Sequence, residues 1–220
     1  MFKRLIAVSI GLFSLSGCMY QQEPMPEITS TTDYMKFGGA QKEKFAPKVP
    51  EISTEGINNI PQTWFPPRNA EKKWTAIIIH HSATKSGNSA IFDKWHKESK
   101  HWNGVGYDFV IGNGTDSFDG QVEVTYRWKE QKTGAHCGGT PGNWANVDGI
   151  GICLVGDFSK APPTGREMQS LVKLVRFLQS RYNIPKSRIY GHSNTPGYTG
   201  GSVCPGRYFN MQELKSSLDF

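Results

Sequence analysis

Three residues far apart in the chain could share one chemistry. His80 closes the apolar run from Trp74, His192 directly follows the stretch from Arg188 to Gly191, and Cys204 lies in a Gly/Ser-rich loop. Imidazole nitrogen and thiolate sulfur are donors that zinc favours. A catalytic zinc site takes three such donors from the protein and leaves a fourth position for water. Two histidines at strand ends, with a cysteine on a loop that can fold back over the same rim, would build an open site of this kind. Spacing alone leaves a second reading standing, in which both histidines are hydrogen-bonded structural residues.

The elements that must position these residues can be read from apolar periodicity. Trp74 to His80 is almost continuously apolar and predicts a strand buried on both faces, ending in His80-His81-Ser82-Ala83-Thr84. Asn88 or Ser89 can cap a helix reaching about Ser99, with Ile91, Phe92 and Trp95 on its inner face and His96 near its edge. His96 and His101 are expected at the surface or helix edge. Val105 to Ile111, Gln121 to Tyr126, Ile150 to Val155 and Arg188 to Gly191 predict further strands. A Gly-rich loop over 134–148 carries His136. Thr164-Gly165-Arg166-Glu167 has the spacing of a capping box and opens a helix stopped by Asn183 and Pro185. Asn210 with Glu213 opens a last short helix. Helices alternating with strands predict one α/β domain over 70–220, a central mixed β-sheet flanked by helices.

Composition narrows the classes of function. The chain has 220 residues, and its 6 Trp, 8 Tyr and 12 Phe exclude disorder throughout. The net charge of +6 is diffuse, with no Lys/Arg block of the kind that grips nucleic acid, so no nucleic-acid partner is expected. Lys3 and Arg4 precede an apolar stretch, Leu5 to Leu15, too short for an ordinary spanning helix. It ends in Leu15-Ser16-Gly17-Cys18, which resembles a bacterial lipobox. That resemblance implies a signal peptide over 1–17 and a lipid on Cys18. Met19, not Asp, after the cysteine resembles the pattern that sorts to the outer membrane. A polar, Pro-interrupted tether over 18–48 and a Pro-rich arm over 49–69 would then join the lipid to the domain. Such a protein is expected in the cell envelope, facing the periplasm, and as a monomer. Export leaves an odd set, Cys137, Cys153 and Cys204. Either two pair and one stays free, or at least one is a metal ligand. A Cys137–Cys153 disulfide is left open.

Six stretches occur in a telling order. They are His80-His81-Ser82-Ala83-Thr84, Val105-Gly106-Tyr107-Asp108-Phe109-Val110-Ile111, Gly134-Ala135-His136, Ile150-Gly151-Ile152-Cys153-Leu154-Val155-Gly156, Gly191-His192 and Cys204-Pro205. Together they resemble the zinc N-acetylmuramoyl-L-alanine amidases, which include a small phage amidase and the peptidoglycan recognition proteins of animals. The resemblance covers about residues 74–215. It implies Zn²⁺ as cofactor, with His80, not His81, His192 and Cys204 as its ligands. It places Tyr107 opposite the water at the metal and His136 along the substrate cleft, with a local loop anchor as the other reading of His136; Ser202 is a second candidate donor to the developing oxyanion, and Trp102 either floors that cleft or packs in the core. The implied substrate is peptidoglycan or its muropeptides, cut at the amide between N-acetylmuramic acid and L-alanine. His81 is then an orienting or structural neighbour. There are departures. Ser202 stands where the phage branch has lysine. The run from His192 to Cys204 is longer than in relatives and holds Gly197, Gly200 and Gly201. Cys153 replaces a glutamate found in the branch with an aspartate ligand. Two other readings accompany this one: a peptidoglycan-binding module without turnover, as in relatives that lost the cysteine, and a closed structural zinc site with Cys137 or His81 as fourth ligand.

Overall fold

The computed structural model describes residues 60–218. The signal segment, Cys18, the tether and residues 49–59 of the arm lie outside the described residues. Five strands form one sheet: β1 (Ala76–His81), β2 (Phe109–Ile111), β3 (Val122–Val124), β4 (Gly149–Leu154) and β5 (Ile189–Gly191), in the order β3-β2-β4-β1-β5. β1 runs parallel to both β4 and β5, β2 runs parallel to β4, and β3 is antiparallel to β2. The sheet is therefore mixed, in a single α/β domain. The helices are α1 (Ser89–Lys100), α2 (Tyr126–Lys129), α3 (Trp144–Val147), α4 (Gly165–Tyr182) and α5 (Met211–Ser216).

Every residue of β1 and β4 is buried, as expected for central strands covered on both faces. Side chains alternate between those faces. Ile77 and Ile79 of β1, with Ile150, Ile152 and Leu154 of β4, join Leu171, Leu174, Val175 and Leu178 of α4 in the large core cluster. Ala76 and Ile78 point the other way, toward Cys137 and Ala145. Beside them, Cys153 packs with Phe92, Val105, Tyr107 and Val110 under α1. The alternation continues to the end of β1. His80 falls on the α1 side, and His81 on the α4 side, where its ring lies 5.7 Å from that of Phe158.

The capping chemistry read from sequence is present. Asn88 accepts from Ile91 N–H, and α1 ends on His101 in the left-handed region at φ 56°. Thr164 and Glu167 make both bonds of the capping box, and Asn183 at φ 53° ends α4. Trp64 of the arm is buried against the main core, accepting from Trp128 Nε1–H at its carbonyl. The Arg181 guanidinium forks onto Glu71 with two 2.6 Å bonds.

Several expectations are corrected. Only 109–111 of the stretch from Val105 pairs as a strand. The strand expected up to Tyr126 stops at Val124, because the Thr125 hydroxyl caps α2 instead. The Gly-rich loop contains α3. His96 is buried at 2% exposure, its Nδ1 accepting from Gly106 N–H. Cys137 and Cys153 are both buried free thiols in separate clusters, so they form no disulfide.

Candidate metal centre

Parallel strands end on one side of their sheet, and there the chain steps out into loops. Ile79 of β1 pairs with Gly191 of β5. The next residues, His80 and His192, therefore stand side by side at the rim, with ring centroids 4.7 Å apart. The long loop after His192 returns Cys204 to the same place. Ser193 N–H donates to the Cys204 carbonyl at 2.8 Å, and His81 N–H donates to Cys204 Sγ at 3.3 Å. Cys204 Sγ lies 3.7 Å from His80 Nδ1.

One ligand atom from each of His80, His192 and Cys204 lies within 4.8 Å of the others, and all three residues are buried. Among the described residues no fourth His, Cys, Asp or Glu joins this group. His192 Nε2 is buried without a hydrogen-bond partner. An orphaned buried nitrogen costs about 1–3 kcal/mol, a cost that a bound cation would remove. Two imidazoles and one thiol, with a position left open, fit zinc.

The electrostatics agree. Burial, then the neighbouring His192, His136 and His81, holds His80 well below the ordinary 6.5. Burial, then His81, lowers His192 to about 4. Both rings are neutral near pH 7, as ligands must be. Burial pushes the Cys204 thiol up to about 12, against the pull of the His81 N–H. The metal-free site therefore holds a thiol, and binding a cation there must release its proton.

Around the ligands the other expected residues divide. Tyr107 is 7% exposed, with its ring 5.3 Å from His80, and it packs in one cluster with Cys153. Burial raises its pKa well above 10, so it is a neutral phenol. Ser202 is half-buried, and its Oγ accepts from Cys204 N–H at 3.1 Å, which leaves its own hydrogen to donate. Trp102 is half-buried, with its ring 4.8 Å from His96, whose ring lies 6.0 Å from Tyr107. His136, expected along the cleft, is fully buried, with its Nδ1 3.1 Å from His80 Nε2. His81 takes no part in the cluster; its Nδ1 accepts from Phe158 N–H at 2.9 Å.

Sequence reading missed Tyr198. Its ring meets that of His192 at 4.6 Å, and its hydroxyl accepts from Ser202 N–H at 3.3 Å. The loop is moulded to it, since a Cβ on Gly200 would stand 2.3 Å from the Tyr198 hydroxyl. Thr199 N–H and hydroxyl both donate to the Gly139 carbonyl, and Trp144 Nε1–H donates to Pro196. The glycines around Tyr198 were the available signal.

Three buried donors at the rim of a mixed α/β sheet form a candidate metal site of the open kind. The chain matches the family described as N-acetylmuramoyl-L-alanine amidase over residues 70–207, and it belongs to that family. It is 30% identical over 138 residues to peptidoglycan-recognition protein SC2 of Drosophila melanogaster, covering 59% of this chain and 66% of that protein, just under two thirds of its length. Among solved structures it resembles an endolysin N-acetylmuramoyl-L-alanine amidase of Clostridium intestinale, with 27% identity and a TM-score of 0.55, over 66% of this chain and 84% of that one. It also shares its fold with peptidoglycan recognition protein-LE, at 24% identity and a TM-score of 0.52, over 66% of this chain and 81% of that one. The family match and the amidase neighbour support a peptidoglycan-related function, as amidase or as binding protein.

Proposed function

We propose that the protein is a zinc-dependent amidase that hydrolyses the bond between N-acetylmuramic acid and L-alanine in peptidoglycan. The observation that carries this is Cys204 beside His80 and His192 in a site with no fourth protein ligand among the described residues. A closed structural site would need that fourth ligand. His81, one candidate, is committed to Phe158.

Zinc, when held by these three residues, supplies Lewis acidity toward both water and the scissile carbonyl. The chain's own residues do the rest. His80 and His192 offer neutral nitrogens, and Cys204 contributes one negative charge that moderates the metal. Tyr107, kept neutral by burial, presents a hydroxyl toward the carbonyl oxygen as charge develops there, and Ser202 can offer a second. A donor of this kind is worth about 3 kcal/mol in known oxyanion holes. Trp102 is the proposed floor for sugar or peptide.

The likeness to a peptidoglycan-recognition protein favours one alternative, binding without turnover. Incubating the protein with defined muropeptides, with zinc and with chelator, separates the two. The amidase reading expects free stem peptide beginning at L-Ala, lost on chelation. Binding without any chelator-sensitive release would refute the amidase and leave the module. For location, we propose a lipid anchor at Cys18 in the outer membrane. Radiolabelled lipid that fails to label Cys18 would refute the anchor.

A further inference from the structure

His136 sits in a slot that the fold has cleared for it. A Cβ on Gly134 or on Gly151 would each come within 2.4 Å of its ring. The backbone on both sides of the ring is pinned, because His136 N–H and Cys137 N–H both donate to Asn146 Oδ1 at 2.8 Å. Asn146 is held in turn by its Nδ2, which donates to Asn143 Oδ1 at 2.7 Å. A fully buried imidazole fixed this firmly, yet shut away from the surface, has a task inside the protein.

Its two nitrogens are both engaged. Nε2 lies 3.2 Å from the Gly149 carbonyl, and Nδ1 lies 3.1 Å from His80 Nε2. A carbonyl oxygen can only accept, so His136 Nε2 carries the hydrogen. In a neutral ring Nδ1 is then bare. The ring is fully buried, and its two polar contacts are a carbonyl and another imidazole, neither of them an anion that would hold a second proton. The bond to His80 must therefore be donated by His80 Nε2–H. That leaves the lone pair of His80 on Nδ1, the nitrogen facing Cys204 Sγ at 3.7 Å.

We infer that His136 is a positioning residue: through Gly149 and its own two nitrogens it fixes His80 as the Nε2–H tautomer and so turns a bare Nδ1 toward the metal. This rests on the zinc reading of the site. It replaces substrate contact as the role of His136. Histidine ligands commonly donate their second N–H to a carbonyl or carboxylate. Removing such partners typically costs 10–100-fold in metal affinity. Here the partner is a second histidine, which can serve only while the Gly149 carbonyl holds its own tautomer.

The test uses the full chain and three variants, H136A, H136Q and H136N. Asparagine places its Oδ1 near the position of Nδ1 and can still accept from His80; glutamine reaches toward Gly149 but offers His80 nothing. Zinc affinity, read by competition with a chromogenic chelator, is expected to fall 10–100-fold in H136A and H136Q and to recover most of the way in H136N. Independently, long-range ¹H–¹⁵N correlations on the metal-free parent should show His80 protonated at Nε2, with that single tautomer lost in H136Q. Parental affinity in H136A, or H136N as weak as H136Q, would overturn the inference, as would His80 protonated at Nδ1 in the parent. A parent that binds no zinc would sink the zinc reading itself, whereas the correlation spectrum tests the tautomer without metal.

Discussion

Lowering the pH should destabilise the metal-free protein well before ordinary carboxylates titrate. Burial is the first cause of each depressed histidine: His81, His96 and His192 each fall to about 4 from 6.5, and His136 to about 3. An unfolded chain releases these rings to 6.5, so below that value the unfolded state binds more protons and stability falls as pH falls. At pH 5.5 each ring accounts for about 0.9 proton of difference. Two buried carboxyls act in the opposite sense. Burial raises Asp108 to about 7 and Glu167 to about 8, so their stabilisation is present in acid and is lost as pH rises through those values. Integrated from pH 7 to pH 5, the four rings cost roughly 7 kcal/mol and the two carboxyls return roughly 5. These six groups together therefore leave a net loss on the order of 2–3 kcal/mol. His80, also depressed, adds to it in the same direction. Against a total stability of about 5–15 kcal/mol, this is a large fraction. Urea unfolding in chelator at pH 7, 6 and 5 measures it, with the maximum expected near pH 7. Replacing His96 by Asn, which keeps an acceptor for Gly106 N–H, should remove about 0.9 proton from the slope at pH 5.5. Stability that is flat or rising from pH 7 to pH 5 would refute the reasoning, since the carboxyls would then outweigh the histidines.

Other outcomes follow from the same geometry. Cys204→Ala should abolish both zinc binding and cleavage, read by metal content and muropeptide digestion; unchanged turnover would refute the ligand assignment. Tyr107→Phe should lower kcat by about 100-fold, near 3 kcal/mol, with zinc affinity unchanged, and a full-rate variant would remove Tyr107 from the chemistry. Gly151→Ala drives a methyl to 2.4 Å from the His136 ring; it should destabilise by about 1–3 kcal/mol in urea and weaken zinc binding in parallel. Glu71→Gln, which removes the charge and one of the two acceptors of Arg181, should cost under about 1 kcal/mol in urea unfolding, because the Arg181 fork is at the surface.

The central strands, the two main helix caps and the two strand-end histidines were legible in sequence because each depends on local pattern: an apolar run, a Thr-x-x-Glu box, a histidine directly after a strand; Cys204 joined them through the resemblance. What could not be read depends on what meets across space. His96 carries the same sequence signals as an edge histidine. Its burial comes from Gly106 and Trp102 folding onto it from the next segment. The fate of His136 turns on Gly134 and Gly151, whose missing side chains look like weaknesses until a ring is seen to fill the gap. Tyr198 belongs to a loop without periodicity, so only contact with His192 gives it meaning. The separation of His80 from His81, assigned through resemblance, had a local basis as well. In a strand buried on both faces, adjacent residues cannot share a side.

That alternation has a further consequence. Because consecutive side chains point oppositely, a slip of β1 by a single residue against β4 and β5 would not merely shift the site by 3.3 Å or so. It would exchange the faces, sending His81 toward Cys204 and carrying His80 into the apolar layer beside Phe158. The isoleucines would swap sides with them. The large aliphatic layer over α4 and the position of the ligand nitrogen are therefore one constraint. The core acts as a gauge that admits only the alignment in which the histidine beside β5 is the one facing sulfur.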